Sequence, residues 1–94
     1  MNATEICKTV KESLSNDVSV YFTDGTETRK VVDIYHHTHT YNESYLDITV
    51  ENGEGKRESR FIRTIWALLY EADGYDIVNL NGDMFIAPDW WIAI

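Results

Sequence analysis

Short segments in which apolar and polar residues alternate constrain the fold of this chain more than any other feature. Residues 18–23 and 44–51 show this alternation, and residues 28–37 carry a less regular form of it. Because successive side chains of a β-strand point to opposite faces, each segment predicts a strand with one buried face. The apolar positions of the first and third segments are Val18, Val20, Phe22, Leu46, Ile48 and Val50.

The turn sequences predict how these strands pair. Asp24-Gly25 marks a turn after the first strand. A two-residue turn there would place Val20 opposite Arg29, so we expect a loop of three or five residues, which aligns the apolar positions of the first two strands. The partners expected between the second and third strands are Val32 with Ile48, Ile34 with Leu46, Asp33 with Asp47, and Tyr35 with Tyr45.

Two other segments have the periodicity of amphipathic helices, at about residues 3–15 and 60–72. Residues 54–58 either begin a fourth strand or lead into the second helix. A hairpin and a short final strand are expected to follow, over Tyr75–Leu80, Met84–Ala87 and Trp90–Ile94. The order α-β-β-β-α-β-β predicts the α+β class, with an antiparallel sheet of about five strands and both helices on one face.

Size and composition predict one acidic domain over residues 1–94, with enough apolar residues (44%) for a packed core. Cys7 is the only cysteine, which excludes an intrachain disulfide and favours a reducing, cytoplasmic location. The first residues lack the pattern of a signal peptide, and no apolar run approaches the roughly 20 residues that span a bilayer. We therefore expect no membrane association.

Tyrosines and carboxylates occupy the polar positions of the predicted strands and should share the sheet face away from the helices. Such a face is either an ordinary solvated surface or a docking surface, in which tyrosines anchor a partner and carboxylates bind its Arg or Lys. The terminal Trp90-Trp91 pair is either covered or part of an interface. The predicted partner-binding residues are Tyr21, Asp33, Tyr35, Tyr45, Asp47, Glu51 and Trp91.

Acidic residues outnumber basic ones by sixteen to eight, which gives a net charge of −8. Residues 31–55 and 64–94 contain no Lys or Arg. This charge disfavours direct contact with nucleic acid or anionic membrane and favours a basic partner. The one basic cluster is expected either to touch a phosphate or to pair with carboxylates of its own chain; it comprises Lys56, Arg57, Arg60 and Arg63.

Few residues suggest chemistry. The histidines 36, 37 and 39, with Glu43, are the only candidates for a metal site, although histidines at a strand end are more often simply solvated. Cys7 lies on the apolar stripe of the first helix and is expected to be buried. An Asp33–Asp47 carboxylate pair is the one acid–base candidate, and no nucleotide-binding, zinc or hydrolase motif occurs. We therefore expect neither an enzyme nor a cofactor.

Three functions are compatible with these features. The first is an inhibitor or decoy whose carboxylates bind a basic groove of a nucleic-acid-binding protein. In size and charge such a protein resembles the phage-encoded DNA mimics and anti-CRISPR proteins. The second is an assembly module, including a homodimer formed through the C-terminal Trp-rich strand. The third is a metal-binding domain built on the histidines.

Overall fold

The computed structural model describes residues 3–38, 44–64 and 74–91. These residues form one helix and one sheet of six strands in the order β4-β3-β2-β1-β6-β5, which confirms the α+β class. The elements are α1 (Ala3–Ser15), β1 (Val20–Thr23), β2 (Thr28–Thr38), β3 (Ser44–Glu51), β4 (Arg57–Thr64), β5 (Tyr75–Leu80) and β6 (Asp83–Pro88).

The sheet is mixed, so the expectation of a wholly antiparallel sheet of about five strands is wrong. β6 pairs in parallel with β1, Val20 beside Met84 and Phe22 beside Ile86, whereas the other neighbouring strands in the described residues are antiparallel. These four side chains are all buried. Pairing β6 with β1 therefore brings the C-terminal hairpin into the core formed by the first half of the chain.

The second helix predicted over residues 60–72 is wrong for residues 60–64, which belong to β4; residues 65–72 lie outside the described part of the chain. β4 pairs with β3 along its whole length, from Arg57 to Thr64. Ile62 is buried and Phe61 is exposed, because neighbours in a strand point to opposite faces. For residues 54–58 the sequence left two alternatives, the start of a strand or a lead into a helix. Residues 57 and 58 begin strand β4, and residues 54–56 belong to the turn that precedes it.

A β-bulge in β2 sets which side chains point into the core. Val31 pairs with Val50 and Asp33 pairs with Thr49, so two steps along β2 match one step along β3. The expected partners are therefore wrong. Ile34 lies opposite Ile48, Asp33 opposite Thr49, Tyr35 opposite Asp47, His36 opposite Leu46, and His37 opposite Tyr45.

The bulge follows from the length of the loop between β1 and β2. That loop has four residues, 24–27, and not the three or five expected, and it places Phe22 opposite Arg29. Val31, and not Val32, is then the buried residue. The extra residue in the bulge restores Ile34 to the core and leaves Asp33 exposed.

Helix α1 lies beside the middle of the sheet and packs mainly against β2. β1 pairs with residues 28–30 of β2, so no described strand flanks residues 32–38 of β2 on that side. The backbone of His36 forms a hydrogen bond with the Cys7 thiol, which places α1 along this edge. The core contains Ala3, Ile6, Cys7, Val10, Val20, Phe22, Val31, Ile34, Leu46, Ile48, Val50, Ile62, Met84 and Ile86.

The end of β6 differs from the predicted final strand. β6 ends at Pro88, and Trp90 and Trp91 follow in a turn in which Trp91 N donates to Pro88 O; residues 92–94 lie outside the described part. The Trp90 ring lies directly over the α-carbon of Gly25, which has φ of +95°. No helix among the described residues has the length and apolarity to cross a membrane.

We predict that Gly25→Ala lowers the free energy of unfolding by about 1–2 kcal/mol. An L-residue is disfavoured at this φ, and the new Cβ would overlap the Trp90 ring. Gly82→Ala is the matched control, since Gly82 has a similar φ of +86° but nothing lies within 4 Å of a Cβ there. Urea unfolding checks both variants, and equal stability of the two would contradict the Trp90–Gly25 contact.

The loop also predicts a pH dependence. Asp24 Oδ1 accepts hydrogen bonds from the backbone N–H groups of Glu27 and Thr26 and from the Thr26 hydroxyl, which lower the pKa of Asp24 to about 2. A lowered pKa stabilises the fold above the ordinary value of 3.8, and this contribution is lost as pH falls toward 2. Asp24→Asn should therefore show a smaller loss of unfolding free energy between these two pH values than the unchanged protein, measured by urea unfolding at each pH.

Candidate functional site

The sheet has an inner face that carries the core and an outer face on the opposite side. On β2, β3 and β4 the bulge and the register place aromatic and acidic side chains together on the outer face. Tyr35 lies opposite Asp47, and Asp47 lies opposite Phe61, so these three residues form a row across the sheet. Tyr35 is 56% exposed and Phe61 is 61% exposed, so both rings are open to a partner.

Four rings lie near Asp47 on three of its sides, and we call them the aromatic arc: Tyr35, His37, Tyr45 and Phe61. The ring centroids of Tyr35 and His37 lie 4.6 Å apart, those of His37 and Tyr45 4.5 Å, and those of Tyr45 and Phe61 5.7 Å. Tyr35 and Phe61 flank Asp47 on the neighbouring strands, and Tyr45 precedes it by two residues on β3. The arc therefore encloses Asp47 on three sides.

The carboxylate of Asp47 is only partly satisfied within this enclosure. Its Oδ2 lies 3.8 Å from Nε2 of His37, too far for a hydrogen bond, and its Oδ1 is buried with no hydrogen-bond partner among the described residues. A covered carboxylate oxygen without a donor is unfavourable. Because the Asp47 side chain as a whole is 28% exposed while Oδ1 is covered, an added donor can reach this carboxylate only at Oδ2.

The other predicted acidic residues of the face have different surroundings. Asp33 does not oppose Asp47 as expected; it opposes Thr49, and its Oδ1 accepts a hydrogen bond from the backbone N–H of Ile34. Glu51 lies between Lys30 and Arg57 on the neighbouring strands, so two cations offset its charge. The register therefore separates Asp33 from Asp47 and removes the predicted acid–base pair.

Tyr21 and Trp91 belong to a second group on the outer face. The Tyr21 ring stacks on Phe85 at 5.3 Å, and Phe85 contacts Trp91 at 5.4 Å. Tyr21 lies opposite Lys30, near the start of β2, whereas His37 lies near its end. The predicted partner-binding residues thus divide between two ends of the sheet. Tyr35, Tyr45 and Asp47 lie together, and Asp33 occupies the next outer-face position of β2, two residues before Tyr35. Tyr21 and Trp91 lie apart from them.

The basic cluster is partly neutralised by its own chain. Arg60 donates to Glu27 Oε1 at 2.6 Å and to Glu58 Oε2 at 2.9 Å, and Glu27 also pairs with Arg29 at 3.3 Å. The hydrogen bond from Arg60 lowers the pKa of Glu27. Intramolecular pairing is therefore the better interpretation of Arg60, and Glu27 and Glu58 add little to the free acidic surface.

The histidines do not assemble a metal site in the described residues. His36 points to the inner face and His37 to the outer face, and no group of three or more potential ligands occurs in the described ranges. His39 and Glu43 lie outside them. Burial raises the pKa of the Cys7 thiol and lowers that of the His36 imidazole, so neither group is activated as a nucleophile or an acid.

Two members of the arc, His37 and Phe61, are absent from the predicted partner-binding residues. Phe61 falls in the predicted second helix. His37 alternates with Asp33 and Tyr35 and so shares their predicted outward face, but it was considered for function only as a metal ligand or a solvated residue. The segment Arg57–Thr64 has no regular alternation, and its one signal for a strand is the adjacent apolar pair Phe61 and Ile62. No protein-family model matches the chain, and no curated protein or solved structure matches it.

We predict that Asp47→Val raises the free energy of unfolding by about 1 kcal/mol. The change removes a buried unpaired oxygen from a strand flanked by two aromatic rings, and Val favours strands. Thr49→Val, the next outer-face position of β3, is the control and should change stability by less than about 0.5 kcal/mol. A loss of stability in Asp47→Val, measured by urea unfolding, would mean that Asp47 has a structural partner.

Proposed function

We propose that this protein acts by binding a basic surface of another protein through the outer face of its sheet. The observation that carries the proposal is the row Tyr35, Asp47 and Phe61, in which a partly unsatisfied carboxylate lies between two exposed rings. Aromatic residues are enriched at the centres of protein interfaces, and carboxylates bind Arg strongly there.

Electrostatics supports a basic partner. The chain carries a net charge of −8, and Asp33 and Asp47 lie on the same face as the exposed rings. Long-range attraction to a cationic surface speeds association and disfavours nucleic acid and anionic membrane. A natural basic target is the groove of a nucleic-acid-binding protein, so we include inhibition of such a protein, as a nucleic-acid-mimicking decoy, within the proposal.

In this proposal the protein binds its partner in the cytoplasm and does not catalyse a reaction. It is supported by the buried state of Cys7, by the separation of Asp33 from Asp47, and by the absence of a disulfide partner for the single cysteine. A homodimer through the Trp-rich C-terminal segment has weaker support, because Trp91 contacts Phe85 and Trp90 contacts Gly25 of the same chain.

The experiment compares two double variants that change the net charge equally. Asp33→Lys with Asp47→Lys alters the outer face, whereas Glu12→Lys with Glu54→Lys alters exposed residues of α1 and of the β3–β4 turn. The tagged proteins capture partners from host lysate at low and high ionic strength, and circular dichroism checks that each variant is folded.

We expect the unchanged protein and the Glu12/Glu54 variant to retain the same partner at low salt and to release it at high salt, because screening weakens ion pairs. The Asp33/Asp47 variant should lose at least about nine-tenths of the captured partner, because the new lysines repel a basic surface that the aspartates attract. Equal retention by both variants, or retention independent of salt, would contradict the proposal.

A further inference from the structure

We propose that the aromatic arc and Asp47 form a receptor for one arginine side chain of the partner. This inference rests on the proposed function and deepens it, because it assigns the chemical group that enters the site. The observations are the three-sided enclosure of Asp47, the exposure of the two flanking rings, and the 28% exposure of the Asp47 side chain, which leaves Oδ2 within reach of a partner.

The spacing of the strands leaves room for a flat cation. Tyr35 and Phe61 lie on the two strands that flank β3, so their backbones are separated by two strand spacings, about 9.6 Å. A planar group held in contact with a ring on each side needs ring planes about 7 Å apart. A guanidinium group can therefore lie above Asp47 with Tyr35 on one side and Phe61 on the other.

The chemistry of the site selects a cation. The faces of aromatic rings attract positive charge, and Tyr and Phe provide such faces here. The protein already shows this attraction within its own chain, because Nζ of Lys11 lies 5.5 Å from the centroid of the Tyr35 ring. Asp47 adds a negative charge at the centre of the enclosure.

Arginine satisfies both parts of the site better than other cations. Its guanidinium group is planar, stacks on aromatic rings, is weakly hydrated, and carries N–H groups that donate to a carboxylate. Lysine has a compact, strongly hydrated ammonium group that cannot stack. A quaternary ammonium group would fit the rings but has no N–H to donate to Asp47.

The open side of the enclosure indicates how the arginine enters. Along β3 the position after Asp47 on the outer face is Thr49, which lies between Asp33 and Ser59 on the neighbouring strands. These side chains carry no aromatic ring, so the arc is open in this direction. Asp33 places a second negative charge at the entrance, where it attracts the approaching arginine.

The test is a titration of the ¹⁵N- and ¹³C-labelled full chain followed by NMR. The probes are N-acetyl-arginine methylamide, the corresponding lysine compound, and the corresponding citrulline compound, which is a neutral isostere of arginine. We expect saturable shifts of Tyr35, Asp47 and Phe61 with arginine, with a Kd of about 1–10 mM because one side chain supplies the whole contact. Lysine should bind more weakly, and citrulline at least about tenfold more weakly.

Variants separate the site from the general charge of the protein. Asp47→Asn should weaken arginine binding about tenfold, whereas Asp83→Asn, which removes the same charge at β6 on the same face, should leave it unchanged. Lys11→Met removes a positive charge 5.5 Å from the Tyr35 ring, so repulsion of the incoming guanidinium group falls and binding should strengthen. Phe61→Leu keeps an apolar side chain but removes one ring, and should weaken arginine binding more than citrulline binding.

Equal shifts with citrulline, unchanged affinity in Asp47→Asn, or shifts confined to residues outside the arc would overturn the inference. The outcome is distinct from that of the capture experiment. Salt-sensitive capture that depends on Asp33 and Asp47, with no arginine binding at the arc, removes the arginine receptor and leaves the proposed function standing. Arginine binding at the arc with salt-independent capture supports the receptor and removes the proposed function.

Discussion

The register of β2 on β3 is the constraint on which the rest of the structure depends. The four-residue loop after β1 makes Val31 a core residue, and the bulge that follows returns Ile34 to the core. A strand without the bulge would place Asp33 and Tyr35 on the same face as Val31 and would bury them. The extra residue therefore positions both the core and the outer-face site.

The same register gives Asp47 surroundings that a strand residue selected only for stability would not have. Asp is a poor strand former, and here one of its oxygens is covered without a donor. Such local conflicts are more frequent at functional positions, and the proposed function assigns Asp47 to one. Glu27 and Glu58 are already paired with Arg60, and Glu51 lies opposite Lys30 and Arg57 in the strand register. Net charge alone does not distinguish these carboxylates from Asp47.

The sequence predicts those parts of the fold that depend on local periodicity. Helix α1, the existence of β1 to β3 and the outward positions of Asp33, Tyr35 and Asp47 follow from the spacing of apolar residues. The parallel pairing of β1 with β6 joins distant segments, so no local pattern indicates it. β4 was missed because an adjacent apolar pair fits a helical stripe as well as a two-faced strand. The residue that lies opposite Asp47 on β2 depends on the one extra residue of the bulge, and the periodicity of the sequence does not show where that extra residue is.

Cross-strand nuclear Overhauser effects between backbone protons of β2, β3 and β4 test the central claim most directly. The structure predicts direct cross-strand contacts between Tyr35 and Asp47 and between Asp47 and Phe61, with the irregular pattern of a bulge between Val31 and Asp33. Direct contacts of Tyr35 with Tyr45 and of Asp33 with Asp47, along a β2 without a bulge, would contradict the register and, with it, the enclosure of Asp47 by aromatic rings.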